Sequence, residues 1–272
     1  MSSTTTISVD KLSRLIGTPK SPRLIDVRTD EAFVADPRLI PGAVRRSHEK
    51  PAEWAAQFRG QSAVVICRHG QKLSEGVAAW LRHEGVPAEA LEGGHTAWVE
   101  TGRPAVPESV LPQRDPAGRT VWVTRARPKV DRIACPWLIR RFVDPDAVFL
   151  FVAPAEVAAV AERFGGVPYD IEGVFWSHRG DICTFDVMVE EFGLASEALD
   201  RLALIVRGAD TSRHDLAPEA AGLLAASLGL SRMYADDLEQ LEAGMTLYDA
   251  FYRWARDATD ETHNWPAGKA RT

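Results

Sequence analysis

Apolar positions along the chain fall either in short unbroken runs or in stripes of helical period. Ser62-Ala63-Val64-Val65-Ile66 is a β-branched run of the kind carried by a strand buried on both faces. After six intervening residues, Leu73 to His83 shows an amphipathic stripe, stopped by Gly85, which reads as a helix. The same alternation resumes past residue 119. Val121-Trp122-Val123 reads as a strand, and a helix runs through Ile133, Leu138 and Phe142 with Asp131 able to cap it. Ala147-Val148-Phe149-Leu150-Phe151-Val152 is another buried strand, and Ala155 to Phe164 an apolar-striped helix. Val187 to Phe192 has helical spacing. Ser196 to Asp257 is nearly all helix, broken near Asp215-Leu216-Ala217-Pro218 and Gly229. The second half is therefore expected to be mainly helical, of α+β class, with a small sheet at its start.

Between these halves stand Pro104, Pro107, Pro112 and Pro116 with little apolar periodicity, the pattern of a semi-rigid linker. The expected division is a first domain over 1–105, a linker over 106–118 and a second domain over 119–272, and 272 residues suffice for two cores. Residues 1–106 carry a net charge of +2 and the remainder −8. An acidic second half makes bulk nucleic-acid binding an unfavourable reading. No apolar stretch nears the roughly 20 residues that span a bilayer. Met1-Ser2-Ser3-Thr4-Thr5-Thr6 lacks the basic and apolar regions of a signal peptide, and the three cysteines are widely spaced with no Cys-x-x-Cys. A reduced cytoplasm suits these features best.

Cys67 is the leading chemical candidate, since it ends the first apolar run and opens Cys67-Arg68-His69-Gly70-Gln71-Lys72. A strand that delivers a thiol into a short loop before a helix surrounds the sulfur with unpaired N–H groups. Arg68 and Lys72 add positive charge. Such surroundings lower a thiol from about 8.5 to roughly 3.5–7.5, so that thiolate dominates at neutral pH. The competing reading is a buried structural cysteine at a strand end.

Upstream of this loop stand Leu24-Ile25-Asp26-Val27-Arg28 and Leu39-Ile40-Pro41-Gly42-Ala43, and downstream Leu91-Glu92-Gly93-Gly94-His95-Thr96-Ala97-Trp98. In this order and spacing, residues 7–103 resemble a rhodanese (sulfurtransferase) domain. The resemblance implies an α/β fold, a parallel sheet flanked by helices. It further implies that Cys67 takes a sulfane sulfur from a small-molecule donor such as thiosulfate and hands it to cyanide or a thiol, with no cofactor. Arg68, His69, Gly70, Gln71 and Lys72 would form the substrate loop, and Asp26 and Arg28 match the family's Asp-x-Arg as a brace near it. Related phosphatases need Arg six positions after the cysteine, where this chain has Leu73, so phosphatase chemistry is not expected. Leu73 also departs from the sulfurtransferase pattern, in which Ser or Thr usually stands there, and Ser74 comes one place late. His48, His83 and His95 read as surface or capping residues.

Seven cations against one acid lie between Arg119 and Arg141. Arg125, Arg127, Lys129 and Arg132, beside a strand end and a helix start, are candidates for binding an oxyanion such as chromate or sulfate; the alternative is a solvated basic surface. His178, Cys183 and Asp186 lie within nine residues, with Asp210 and His214 further on, a donor set compatible with zinc or iron. The alternative there is that Cys183 is core and Asp186 a helix cap. Cys135, followed by Pro136, is the remaining thiol. Asp131-Arg132-Ile133-Ala134-Cys135-Pro136-Trp137, the His178–Asp186 segment and Arg207-Gly208-Ala209-Asp210 make residues 120–257 resemble the C-terminal domain of the chromate-resistance protein ChrB. That resemblance implies a link to chromate resistance. Two functions follow: a cytoplasmic sulfurtransferase linked to chromate or oxyanion resistance, or an oxyanion-sensing protein whose rhodanese domain turns over little.

Overall fold

The computed structural model describes residues 5–262. The first half opens with strand β1 (Thr6–Ile7) and helix α1 (Val9–Leu15), capped by the Ser8 hydroxyl. There follow β2 (Arg23–Asp26), α2 (Asp30–Ala35), β3 (Arg38–Leu39), β4 (Ala43–Arg45) and α3 (Pro51–Trp54). The half is completed by β5 (Ala63–Ile66), α4 (Lys72–His83), β6 (Ala88–Leu91) and α5 (Gly94–Glu100). Five strands form one sheet in the order β1-β6-β5-β2-β4, every neighbouring pair parallel. All four residues of β5 are buried, which is why its sequence is an unbroken apolar run rather than an alternation. Chain order reverses between β2 and β5. In open parallel sheets the crevice beyond the carboxyl ends at such a reversal is where ligands bind.

Residues 106–118 are held at both ends. Strand β7 (Val106–Pro107) pairs antiparallel with β3, and Arg114 reaches Asp144 at 3.1 Å. Beyond it come β8 (Val121–Arg125), α6 (Asp131–Phe142), β9 (Val148–Val152), α7 (Val157–Phe164) and β10 (Val167–Pro168). Helices α8 (Thr184–Glu191), α9 (Glu197–Asp210), α10 (Ala220–Met233) and α11 (Asp237–Asp257) follow. The strands form a small parallel sheet, β10-β8-β9, and the helices supply most of the mass, matching the α+β expectation. Among the described residues no helix is long and apolar enough to cross a membrane.

Helix α6 runs through the middle of this half, with Trp137 fully buried among Phe142, Phe185, Tyr248 and Tyr252. Pro136 is its sixth residue and lies inside the helix. A proline there cannot donate to the carbonyl four residues back, that of Arg132. The Tyr169 hydroxyl donates to that freed oxygen at 3.4 Å. The two halves share one continuous apolar core, from Leu12, Ile16 and Trp98 on one side to Phe142, Leu199 and Tyr252 on the other. The Gly42 N–H donates to the Phe142 carbonyl at 2.6 Å, and Arg23 pairs with Asp146 at 2.5 Å, along the same seam.

Candidate functional site

Strand β5 ends at the sheet reversal, so Cys67 emerges where the crevice between β2 and β5 opens. The loop after it turns back at Gly70, whose φ is 68°. A Cβ added there would lie 2.3 Å from the Leu91 carbonyl oxygen, and one on Gly94 2.3 Å from the Cys67 carbonyl oxygen. Two glycines therefore let the cysteine loop and the β6–α5 turn touch backbone to backbone. The N–H groups of His95 and Thr96 complete the contact by donating to the carbonyls of Cys67 and Arg68 at 2.9 and 3.0 Å.

The Cys67 sulfur lies 3.1 Å from the Ser74 hydroxyl and accepts the Gln71 N–H at 3.4 Å. Burial pushes this thiol up. The Ser74 hydroxyl and the N–H groups of Ser74, Gln71 and His69 outweigh that effect and hold it below its ordinary value. Ser74 thus corrects the expectation that it comes one place too late. Because α4 starts at Lys72, Ser74 is its third residue and faces back toward the sulfur, while Leu73 lines the cleft. The cleft holds about 210 Å³, with Cys67 at its floor and Arg28, Arg68, His69 and Lys72 in its walls. Gln71 also lines it, and Arg68, His69, Gln71 and Lys72 are exposed.

Asp26 and Arg28 form a buried ion pair at 2.6 Å. Arg28 spends its remaining donors on the carbonyls of Asp36 and Arg38, at 2.9 and 2.7 Å. His95 is not at the surface, as its sequence context suggested. It is buried against the Arg38 carbonyl at 3.0 Å, and burial pulls its pKa down.

The basic turn after β8 does not present the open cradle that its composition suggested. Arg127 adopts a left-handed φ of 58° and donates to the carbonyls of Ser231 and Tyr234, while its own N–H points at Asp237. Arg125 and Arg132 each lie 3.3 Å from Asp170. Of the four cations, Arg125 and Arg132 face an acid, whereas the Arg127 guanidinium meets carbonyls and the Ser231 hydroxyl, and Lys129, half-buried, has no acidic partner among the described residues. Replacing Arg127 by Ala is accordingly expected to lower stability by about 1–2 kcal/mol, read as a fall in melting temperature. A variant that melts with the wild type would return Arg127 to the solvent.

Of the expected metal donors, Cys183 and Asp186 cap a helix instead. The Cys183 N–H donates to the Asp186 carboxylate at 2.9 Å, a reciprocal box at the start of α8. Asp186 also faces Arg207 at 3.3 Å. Cys183 and Cys135 are fully buried, and burial raises both thiols well above their ordinary value. His178 joins other partners. Its Nε2 lies 3.4 Å from Asp131, 3.4 Å from Asp170 and 3.2 Å from Asp210. Hydrogen bonding to these three carboxylates, which accept from the imidazolium, pushes its pKa up to about 12. Burial raises the pKa of Asp131 to about 7, against the pull of His178. Asp131 does not cap α6, because its carboxylate turns inward to accept the Thr184 N–H at 2.8 Å. Asp131 and Asp170 were not visible as members of this cluster in the sequence, and no local spacing marks them.

Comparison with known proteins agrees with both halves. Residues 8–101 match the rhodanese-like domain, and residues 122–255 match the ChrB C-terminal domain. Protein ChrB of Cupriavidus metallidurans is 33% identical over 222 residues, covering 74% of this chain and 67% of that protein. Among solved structures, a rhodanese-related protein from Thermoplasma volcanium is 26% identical and covers 38% of this chain and 99% of its own, with a TM-score of 0.34. Thiosulfate sulfurtransferase from Pseudomonas aeruginosa is also 26% identical, covering 40% of this chain and 20% of its own, with a TM-score of 0.34. A third of all aligned positions shared across most of both chains places this protein in the ChrB family, with a rhodanese-like domain ahead of its ChrB C-terminal domain.

Proposed function

We propose that the protein is a sulfurtransferase that works through a persulfide on Cys67 and serves chromate or oxyanion resistance in the cytoplasm. The observation that carries this reading is the sulfur's environment: a hydroxyl at 3.1 Å, a backbone N–H at 3.4 Å and a cation-walled cleft above. The Cys67 thiolate attacks the sulfane sulfur of thiosulfate. A new S–S bond forms, the S–S bond within thiosulfate breaks, and sulfite leaves with the bonding pair. Cyanide or a thiolate then attacks the outer sulfur, and Cys67 departs as thiolate. Arg68, His69 and Lys72 offer charge to the incoming dianion, and the loop N–H groups hold the negative sulfur in both steps. The ChrB relationship supports the link to chromate resistance.

The test is to incubate the protein with thiosulfate, alkylate it, and map the added sulfur by mass spectrometry. Cys67 is expected to carry it and the fully buried Cys135 and Cys183 to carry none. Sulfur on either buried thiol with Cys67 unmodified removes the assignment.

A further inference from the structure

We infer that Asp131, Asp170 and His178, with Asp210 beside them, bind one divalent first-row transition-metal ion. The residues arrive from three separate places in the chain: α6, the segment between β10 and α8, and α9. Asp131 is the first residue of α6, and Asp170 follows β10 in a left-handed conformation with φ of 51°. His178 sits in the segment before α8, and Asp210 is the last residue of α9. One donor atom each from Asp131, Asp170 and His178 lies within 4.8 Å of the others. Structural ion pairs usually match one cation to one anion, whereas here one imidazole nitrogen faces three carboxylates at 3.2 to 3.4 Å.

Those separations have the size of the edges of a coordination polyhedron. An ion with bonds of about 2.0–2.2 Å sets tetrahedral ligands roughly 3.3–3.6 Å apart. A second observation points the same way. Asp131 is completely buried, and its Oδ1 has no hydrogen-bond partner although its Oδ2 faces His178. A buried carboxylate oxygen without a partner is costly and calls for a bound species to satisfy it. The surroundings keep the other ligand oriented. Thr184 donates its hydroxyl to Asp170 Oδ1 at 2.9 Å, and Arg125 and Arg132 take Asp170 Oδ2, so the carboxylate cannot rotate away. His178 is about a third exposed, which leaves an entry path and room for water on the open side. Oxygen donors joined by one imidazole, without a thiolate, fit zinc, manganese or iron(II) better than copper(I), and the imidazole argues against calcium or magnesium.

The experiment uses the full chain, stripped with a chelator and dialysed, then titrated with Zn²⁺, Mn²⁺ and Mg²⁺ by calorimetry. Wild type is expected to take up about one equivalent of Zn²⁺ or Mn²⁺ and to gain melting temperature with it. His178→Ala is expected to lower that affinity by more than the roughly 10–100-fold typical of losing a mere supporting partner. Asp131→Asn keeps the shape and removes the charge, and is expected to do the same. Should Asp131→Asn fail to fold, Asp210→Asn at the rim serves as the second variant. Persulfide formation on Cys67 is expected to be unchanged by His178→Ala, so this inference and the sulfurtransferase reading fail independently. No stoichiometric uptake of Zn²⁺ or Mn²⁺, uptake of Mg²⁺ alone, or uptake indifferent to His178→Ala would overturn it, leaving a protonated histidine clamped by three carboxylates.

Discussion

Cys67→Ser is expected to abolish thiosulfate:cyanide turnover, a fall of at least about 10³-fold, because no other side chain in the cleft can form the S–S bond. The fold should be unaffected, since serine is smaller and the Gln71 N–H can still find an oxygen. Ser74→Ala provides the graded counterpart. It removes the 3.1 Å contact to the sulfur, the largest effect opposing burial in holding the thiol down. A hydrogen bond to a charged partner contributes about 1.5–3 kcal/mol, so turnover near neutral pH is expected to fall about tenfold or more. The sign of the pH effect follows from the same contact. With the hydroxyl gone, burial acts less opposed, the thiol pKa rises, and the alkylation rate of Cys67 should climb at higher pH than in wild type. If Ser74→Ala alkylates with the wild-type profile, the loop N–H groups alone activate the sulfur.

How far these sites could be read without coordinates depended on how local their determinants are. Cys67 stood out because run, loop and stripe are contiguous, and the strand that delivers it needs no partner to be recognised. The Cys183–Asp186 box was equally local, three residues apart, and its capping alternative is what the structure holds. Ser74 was misjudged because counting from the cysteine assumes a fixed loop length. The true reference is the first turn of α4, which begins at Lys72 and rotates the third residue toward the sulfur. The Asp131–Asp170–His178–Asp210 cluster was legible only in part: His178 and Asp210 stood among the expected donors, while Asp131 and Asp170 had no local signature. Its members are brought together by helix packing and by the β10–α8 segment, and Asp131 in isolation looks like any acidic N-terminal helix residue. Arg127 misled in the opposite sense. A basic run is usually solvated, yet this guanidinium reaches across to carbonyls more than a hundred residues away.

Arg28→Met is expected to destabilise the protein by about 3–5 kcal/mol, because it strands a buried carboxylate. Asp26 is 1% exposed and loses both the 2.8 Å Nε bond and the 2.6 Å ion pair, keeping only the residue-28 backbone N–H. The Asp36 carbonyl loses its Arg28 donor at the same time, and the Arg38 carbonyl keeps only His95 Nε2. Against a total stability of roughly 5–15 kcal/mol this is a large share, and denaturant unfolding should show it as a lower midpoint. The double variant Asp26→Leu/Arg28→Met separates charge burial from packing. Removing both charges leaves no unpaired ion, so the double variant should be more stable than Arg28→Met alone, despite carrying one more substitution. Arg28 also walls the Cys67 cleft. A double variant that refolds but turns over poorly would show that its guanidinium faces substrate as well as Asp26. Equal stability of single and double variants would mean that the lost carbonyl contacts, rather than the stranded carboxylate, dominate the cost.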